Sequence, residues 1–339
     1  MARRATIADL AQASGVSIST IDRILNGRHP VRKVTGDKVL ATAEAIGFYA
    51  TPALRTRLGV GQPVVRLGYL LQQSDRPFYR MLARALEQAA REAGAGVAIV
   101  VEHMDDISSE AVAARVLDMG NRVDALAVIS AEHPRVTQAI ETLADRDVTV
   151  FGLISGLTAA CGTGYVGLDN WKVGRTAGWA VAGLCKTPGK VGILVGNHRY
   201  RCQEMNETGF RGYLREHAPD FTLLEPISTF EDRRVAREVT EDLLAREPDL
   251  AALYISGGGI TGAMDAIAAS GRVGSLIVIG HELMDPTRAA LIDGVLTMVI
   301  AHPVARLAQE AISAMSEAAK GTPPGQHLIG FDIVTAENI

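Results

Sequence analysis

From Val64 to the end, the chain alternates short apolar runs with longer amphipathic ones, and this rhythm limits the possible folds more than any other feature. Strand-like runs occupy 65–71, 96–101, 125–130, 148–154, 165–168, 191–195, 250–255, 276–279 and 296–300. Helical stretches of roughly 10–16 residues separate most of them. A strand that returns through a helix rejoins its neighbour in parallel, so the rhythm predicts an α/β fold of parallel doubly wound sheets. A single sheet of so many strands would be unusually large. Lys186-Thr187-Pro188-Gly189 breaks the pattern near its middle, which predicts two sheets and two lobes.

The first sixty residues follow a different pattern. Thr6 is suited to cap a helix carrying Ile7, Leu10 and Ala11, and Ser14-Gly15-Val16 ends it. Ser17 can cap a second helix, Ile18 to Leu25, that buries Ile21, Ile24 and Leu25 and exposes Ser17, Ser19, Thr20 and Arg23. Asn26-Gly27 stops it, and a third helix over 35–46 supplies Val39, Leu40, Ala43 and Ile46 to a three-helix core. Short polar groups with one arginine can approach base edges, and arginine can bond a guanine bidentately. Charge points the same way. Residues 1–60 carry nine Lys and Arg against four acids, a net of +5, which leaves −9 on the rest of the 339-residue chain. A basic head on an acidic body predicts a polyanionic partner for the head alone.

The run Ala5-Thr6-Ile7-Ala8-Asp9-Leu10-Ala11, then Gly15-Val16-Ser17, Thr20 to Gly27, and Val31 onward to Ala45-Ile46-Gly47-Phe48 resembles the DNA-binding headpiece of the lactose repressor (LacI/GalR) family. The resemblance implies a helix-turn-helix on double-stranded operator DNA, with its second helix in the major groove. Ile18, Ser19 and Arg23 would face base edges, with Ser17, Thr20 and Asn26 near phosphates; Thr6 belongs to the same expected contact set. Asp22 stands where the family usually has Ser, and Gly36 where Arg is common. Tyr49 to Leu58 resembles the family's hinge, which becomes helical on operator and puts a leucine into the minor groove. Ten residues are too few for a stable helix alone, so order is expected from DNA and a partner. Leu58 is the expected wedge, with Arg55 and Arg57 on phosphates. Pro52 lies one residue nearer that leucine than the family proline does, which leaves Leu54 as the alternative.

The remainder resembles type I periplasmic sugar-binding proteins, the fold of the family's effector domain. The expected organisation is a headpiece over 1–48, a hinge over 49–62 and an effector domain over 63–339. Within the last, one lobe takes 64–187 and 301–322, and the other 190–298 and 326–339. Ligands in such sheets bind beyond the carboxyl ends of the strands. The loop after the first strand offers Phe78, a platform for a ring face, and Tyr79. The loop after Val195 offers Arg199, Arg201 and Glu204, and then Asn206 where the family places Arg. Phe230 matches a family stacking position, Asp169 with Asn170 a cleft-edge pair, and Glu282 the acid of Gly-x-Asp. Ser256 to Gly262 lacks the order of a phosphate loop; its glycines read as letting the chain pass close to the cleft, with Gly259 where the family has Asp.

Three function classes compete. A regulator explains both halves: it would bind a palindromic operator as a homodimer in the cytoplasm, act as a repressor, and respond to a small sugar or polyol. A transporter's solute-binding component explains only the body and requires export, yet Met1-Ala2-Arg3-Arg4 is followed by no apolar signal core. An enzyme requires a nucleophile, metal set or acid–base spacing that the eight histidines do not offer. The three cysteines have no paired spacing, no apolar run reaches the ~18–20 residues of a membrane helix, and no cofactor is expected. Gln326 to Ile339 reads as a strand and tail, without the heptad helix that the family's tetramers add.

Overall fold

Thr6 and Asp9 start the first helix by capping each other. In this computed structural model, which describes residues 5–26, 31–58 and 64–339, the Thr6 N–H donates to Asp9 Oδ2 at 2.8 Å and the Asp9 N–H to Thr6 Oγ1 at 3.3 Å. Helix α1 (Ile7–Ser14) ends at Gly15, whose φ of 64° suits a residue without Cβ. Helix α2 (Ile18–Asn26) follows Ser17, whose hydroxyl accepts from the Thr20 N–H at 3.3 Å. Helices α3 (Lys33–Ala45) and α4 (Thr51–Leu58) close the unit. Leu10, Ile21, Ile24, Val39, Leu40 and Phe48 form its core. The expected stop at Gly27, the basic residues Arg3, Arg4 and Arg28, and the hinge's end at 59–62 lie outside the described residues.

Residues 51–58 of the expected hinge form α4, which docks on the headpiece. Leu54 is fully buried in the headpiece core, so it is not free to act as the alternative wedge. Leu58 packs beside Gly36, where an added Cβ would lie 2.8 Å from Leu58 Cδ2. The missing arginine at position 36 therefore makes room for α4. Tertiary packing replaces the stability that eight residues lack on their own.

The chain divides into two compact units, Met1–Val65 with Ala90–Ala98, and Arg66–Ala89 with Ile99–Ile339. After α4 come β1 (Val65–Gln72), α5 (Pro77–Ala93), β2 (Val97–Met104), α6 (Ser109–Gly120), β3 (Ala125–Val128), α7 (Pro134–Ala144), β4 (Thr149–Leu153), β5 (Gly164–Leu168) and α8 (Asn170–Leu184). Then follow β6 (Lys190–Val195), α9 (Arg201–His217), β7 (Thr222–Leu223), β8 (Ile227–Ser228), α10 (Arg233–Arg246), β9 (Leu250–Ile255) and α11 (Ile260–Ala269). The chain closes with β10 (Ile277–His281), α12 (Asp285–Ile292), β11 (Met298–Ala301), α13 (Val304–Ala318), β12 (Gln326–Ile329) and β13 (Asp332–Val334).

Two sheets form. The first runs β12-β5-β4-β3-β1-β2 and the second β13-β11-β10-β9-β6-β7, with β8 beside β6. In the first sheet β3 lies parallel to β1 and β4, and β5 to β4 and β12; in the second the pairs are parallel except β13 on β11, which is antiparallel. Two boundaries differ from the expected lobes. Gln326–Ile329 pairs with β5 in the first sheet, whereas 326–339 was expected wholly in the second lobe. Helix α8, expected in the first lobe with 64–187, packs on α9 and β10. Glycines permit that approach: a Cβ on Gly174 would meet the Asn206 carbonyl oxygen at 2.0 Å, and one on Gly209 the Trp171 oxygen at 2.3 Å.

Candidate functional site

The loops beyond the carboxyl ends of both sheets converge on a cavity of about 570 Å³, the size and position expected of a small-molecule site. Its backbone is held in costly conformations. Ile154, Glu231 and Glu282 line it with φ of 66°, 60° and 66°, the left-handed region that non-glycine residues avoid. Each follows a strand end, where the turn aims its side chain or its neighbours inward.

Glu231 is the most enclosed lining carboxylate. Gln203 Nε2 donates to its Oε1 at 2.6 Å, the Gly258 N–H to the same oxygen at 3.3 Å, and Arg76 Nη1 to Oε2 at 2.7 Å. Arg76 Nη2 also donates to the Glu231 carbonyl oxygen at 2.5 Å. Burial works against the Arg76 charge, but the Glu231 carboxylate outweighs it and holds the guanidinium pKa above its ordinary value. Arg76 follows a strand of the first sheet and Glu231 one of the second, so the pair ties the sheets across the cleft. Further ties join Gln72 to the Tyr200 hydroxyl, and Cys202 N–H to Ser155 Oγ at 3.4 Å. Burial pushes the Cys202 thiol up to about 12, which keeps it a neutral, unreactive lining group.

On the opposite wall, Glu282 Oε1 lies 2.6 Å from His302 Nδ1, and Oε2 accepts from the His302 N–H at 3.2 Å. The His302 ring sits 6.0 Å from that of Phe78. His302 Nε2 is buried without a hydrogen-bond partner. His281 also lines the cavity and meets the Tyr254 hydroxyl at 2.9 Å; burial pushes its imidazole down to about 4, so it is neutral near pH 7. Aromatic faces beside fixed donors and acceptors are what a polyhydroxylated ring requires.

In the headpiece, α2 presents Ser17, Ile18, Ser19, Arg23 and Asn26 to solvent, with Thr20 half-buried. Ser17 Oγ bonds Ser19 Oγ at 3.0 Å and Thr20 Oγ1 at 2.9 Å. Arg23 folds back on Thr20 Oγ1 at 3.0 Å, and Asn26 Nδ2 donates to Asp22 Oδ1 at 2.8 Å. Asp22 is thus met by an amide rather than by a base. Ile18 is 56% exposed, a bulky apolar group unprotected on a polar face.

Residues 67–323 match the periplasmic binding protein domain, and residues 6–50 match the bacterial regulatory proteins of the lacI family. The chain belongs to the periplasmic binding protein domain family and carries a lacI-family helix-turn-helix domain at its N-terminus. It is 24% identical over 335 residues to the HTH-type transcriptional regulator reg1 of Streptomyces lividans, covering 94% of this chain and 91% of that one. It is 34% identical over 93 residues to the maltose regulon regulatory protein MalI of Escherichia coli, 27% of each chain. A periplasmic solute binding protein from Actinobacillus succinogenes with bound D-allose superposes with a TM-score of 0.73 at 19% identity, over 81% of this chain and 98% of that one. That likeness speaks to the fold of the body, a periplasmic-binding-protein-like α/β domain with parallel sheets, to which the lacI match adds an N-terminal helix-turn-helix region.

Within the periplasmic-binding-protein domain, the structure brings Phe78, Tyr79, Asn206 and Glu282 to the cavity. Asn206 arrives as a helix tie: its amide nitrogen donates to Asn170 O at 3.0 Å and Cys202 O at 3.2 Å. Five expected contacts lie elsewhere. Asp169 caps α8 through the Lys172 N–H at 3.2 Å and pairs with Lys172 Nζ at 3.0 Å. Arg199 is exposed, and its carbonyl accepts from the Glu132 N–H at 2.8 Å. Arg201 donates to Thr158 Oγ1 at 3.0 Å, at the outer edge of the cleft. Glu204 is on the exposed face of α9. Phe230 is 71% exposed, because its φ of 53° turns the ring outward and sends Glu231 in. Arg76, Gln203, Glu231 and His302 were missed. Arg76 stands two residues before Phe78 and Glu231 directly after Phe230, so the only signal was nearness to residues already singled out. Thr6 is engaged in the α1 cap, and Arg55 bonds Glu44 Oε1 at 2.8 Å; Arg57 is exposed.

Proposed function

We propose that this protein is a ligand-responsive transcriptional repressor, which binds a palindromic operator as a homodimer in the cytoplasm and senses a neutral sugar or polyol. The observation that carries this reading is one chain joining a helix exposing Ile18, Ser19 and Arg23 to a cavity lined by Phe78, Tyr79, Arg76, Glu231 and His302. The first could read base edges and the second a hydroxylated ring. Ser17, Thr20, Asn26 and Arg57 would take phosphates, and Leu58, at the end of α4, the minor groove. Two headpieces related by a dyad match two half-sites, which favours the dimer. Lobes drawn from the sheets would take 64–169 with 302–329, and 170–301 with 331–339. Ligand in the cleft would change operator affinity only by its differential affinity for the lobe arrangements, a coupling of roughly 1–3 kcal/mol in typical cases.

The relatives' names support this reading: reg1 is an HTH-type transcriptional regulator and MalI a maltose regulon regulatory protein. No described helix is long and apolar enough to cross a membrane, and no described cluster of His, Cys, Asp and Glu could hold a metal ion. The test is operator selection from bacterial promoter DNA, followed by affinity against salt with and without a sugar and polyol library. A steep negative salt slope at a palindromic site, altered by one library member, is the expected result. Binding without sequence preference, or a monomer by light scattering at micromolar concentration, overturns it.

A further inference from the structure

We propose that the cavity accepts neutral polyhydroxylated ligands and rejects sugar acids and sugar phosphates, because a built-in carboxylate, Glu231, already occupies the guanidinium an anion would need. This rests on the sugar reading above and narrows it. Arg76 lines the cavity, but one of its terminal nitrogens is bonded to Glu231 Oε2 at 2.7 Å and the other to the Glu231 carbonyl at 2.5 Å. Glu231 has no room to retreat. A Cβ on Gly196 would meet its Oε1 at 1.8 Å, and one on Gly258 its Oε2 at 1.8 Å. Gln203 and the Gly258 N–H fix the same carboxylate from behind. The glycines after β6 and β9 thus form a cradle shaped to this acid.

The other lining guanidinium is occupied too. Arg233 is held by Asp265 Oδ2 at 2.7 and 3.2 Å. Meanwhile Asp75, Asp232 and Glu282 line the cavity with no Arg or Lys ion-pair partner among the described residues. An entering anion would meet these carboxylates and find Arg76 and Arg233 already paired with acids. A hydroxyl meets no such barrier. It can accept from the N–H groups Arg76 has left and donate to the carboxylates beside it.

Glu231→Gln tests this directly. The amide keeps the acid's shape, and its oxygen can keep the Gln203 and Gly258 donors. Its NH2 would then face Arg76, donor against donor, and release the guanidinium to a ligand. Calorimetry would use matched probes: D-galactose with D-galacturonate, D-glucose with D-glucuronate, and D-ribose with D-ribose 5-phosphate. In the wild-type protein, the neutral member of any pair that binds should bind about tenfold tighter or more, a gap of ~1.4 kcal/mol. In Glu231→Gln that ratio should fall about tenfold or invert. Should the variant not fold, Arg76→Gln serves, since removing the cation beside an intact Glu231 should widen the ratio. A wild-type protein that binds an anionic member as tightly as its neutral partner overturns the gate while leaving sugar sensing intact. So does a folded Glu231→Gln with wild-type ratios, or an Arg76→Gln that relaxes them. If neither member of any pair binds, and no sugar in a wider library does, the sugar reading fails and the gate with it.

Discussion

The Glu282 carboxylate meets His302 Nδ1 at 2.6 Å, and the other ring nitrogen, Nε2, is left buried without a partner in a residue that lines the cavity. A carboxylate on Nδ1 fixes the ring's orientation and favours the tautomer whose Nε2 accepts a hydrogen bond. Glu282→Ala should therefore abolish the ligand response while leaving ligand-free operator binding nearly unchanged. His302→Ala should do the same, and the double variant should add little to either, since the two act as a unit. Operator affinity measured with and without the responsive ligand checks this; a full response in Glu282→Ala would remove the pair from the site.

Arg23 is exposed on α2, and among the described residues its side chain bonds Ser19 O and Thr20 Oγ1 of its own helix. Arg23→Ala should cost about 1–3 kcal/mol at one base position in each half-site. Arg57→Ala should instead weaken all sequences alike and reduce the salt slope by about one. Binding assays on an operator library at several salt concentrations separate these outcomes. Wild-type preference at every position in Arg23→Ala would count against α2 as the reading helix.

Leu54 is fully buried in the headpiece core and ties α4 to α2 and α3. Leu54→Ala should destabilise that unit by about 2–5 kcal/mol. Amide exchange across 51–58 should rise in the free protein, since the helix is too short to persist undocked. Unchanged exchange there would mean that α4 does not depend on Leu54.

Burial pushes His281 down to about 4, against about 6.5 in an unfolded chain. A depressed histidine pKa means that the unfolded chain binds the extra proton. Its contribution is therefore complete above about pH 6.5 and is lost as pH falls toward 4, by up to about 3 kcal/mol. His281→Gln should flatten the dependence of the melting temperature on pH across that window relative to wild type. An identical slope in both proteins would show that His281 is not held neutral by burial.

Periodicity alone located the nine strand runs, because each is a short, mainly apolar stretch set off from its neighbours, and most are buried. The headpiece helices were equally legible, since Thr6, Gly15 and Ser17 act locally, through caps and a turn within a few residues. The two-residue strands β7 and β8 were not, because so short a pairing leaves no pattern. Nor were the lobe assignments of α8 and β12, which depend on which neighbour each element packs against. The site divides along the same line. Phe78, Tyr79, Asn206 and Glu282 could be found by asking which loops follow strands. Arg76 and Glu231 could not be paired, because 155 residues separate them and only the stacking of two sheets brings them to 2.7 Å. Phe230 turns outward and Glu231 inward through two consecutive left-handed residues, and α4 is a helix because Gly36 leaves room for Leu58. Local chemistry is written along the chain; which side chain a loop turns inward, and what it meets there, is decided by packing between distant segments.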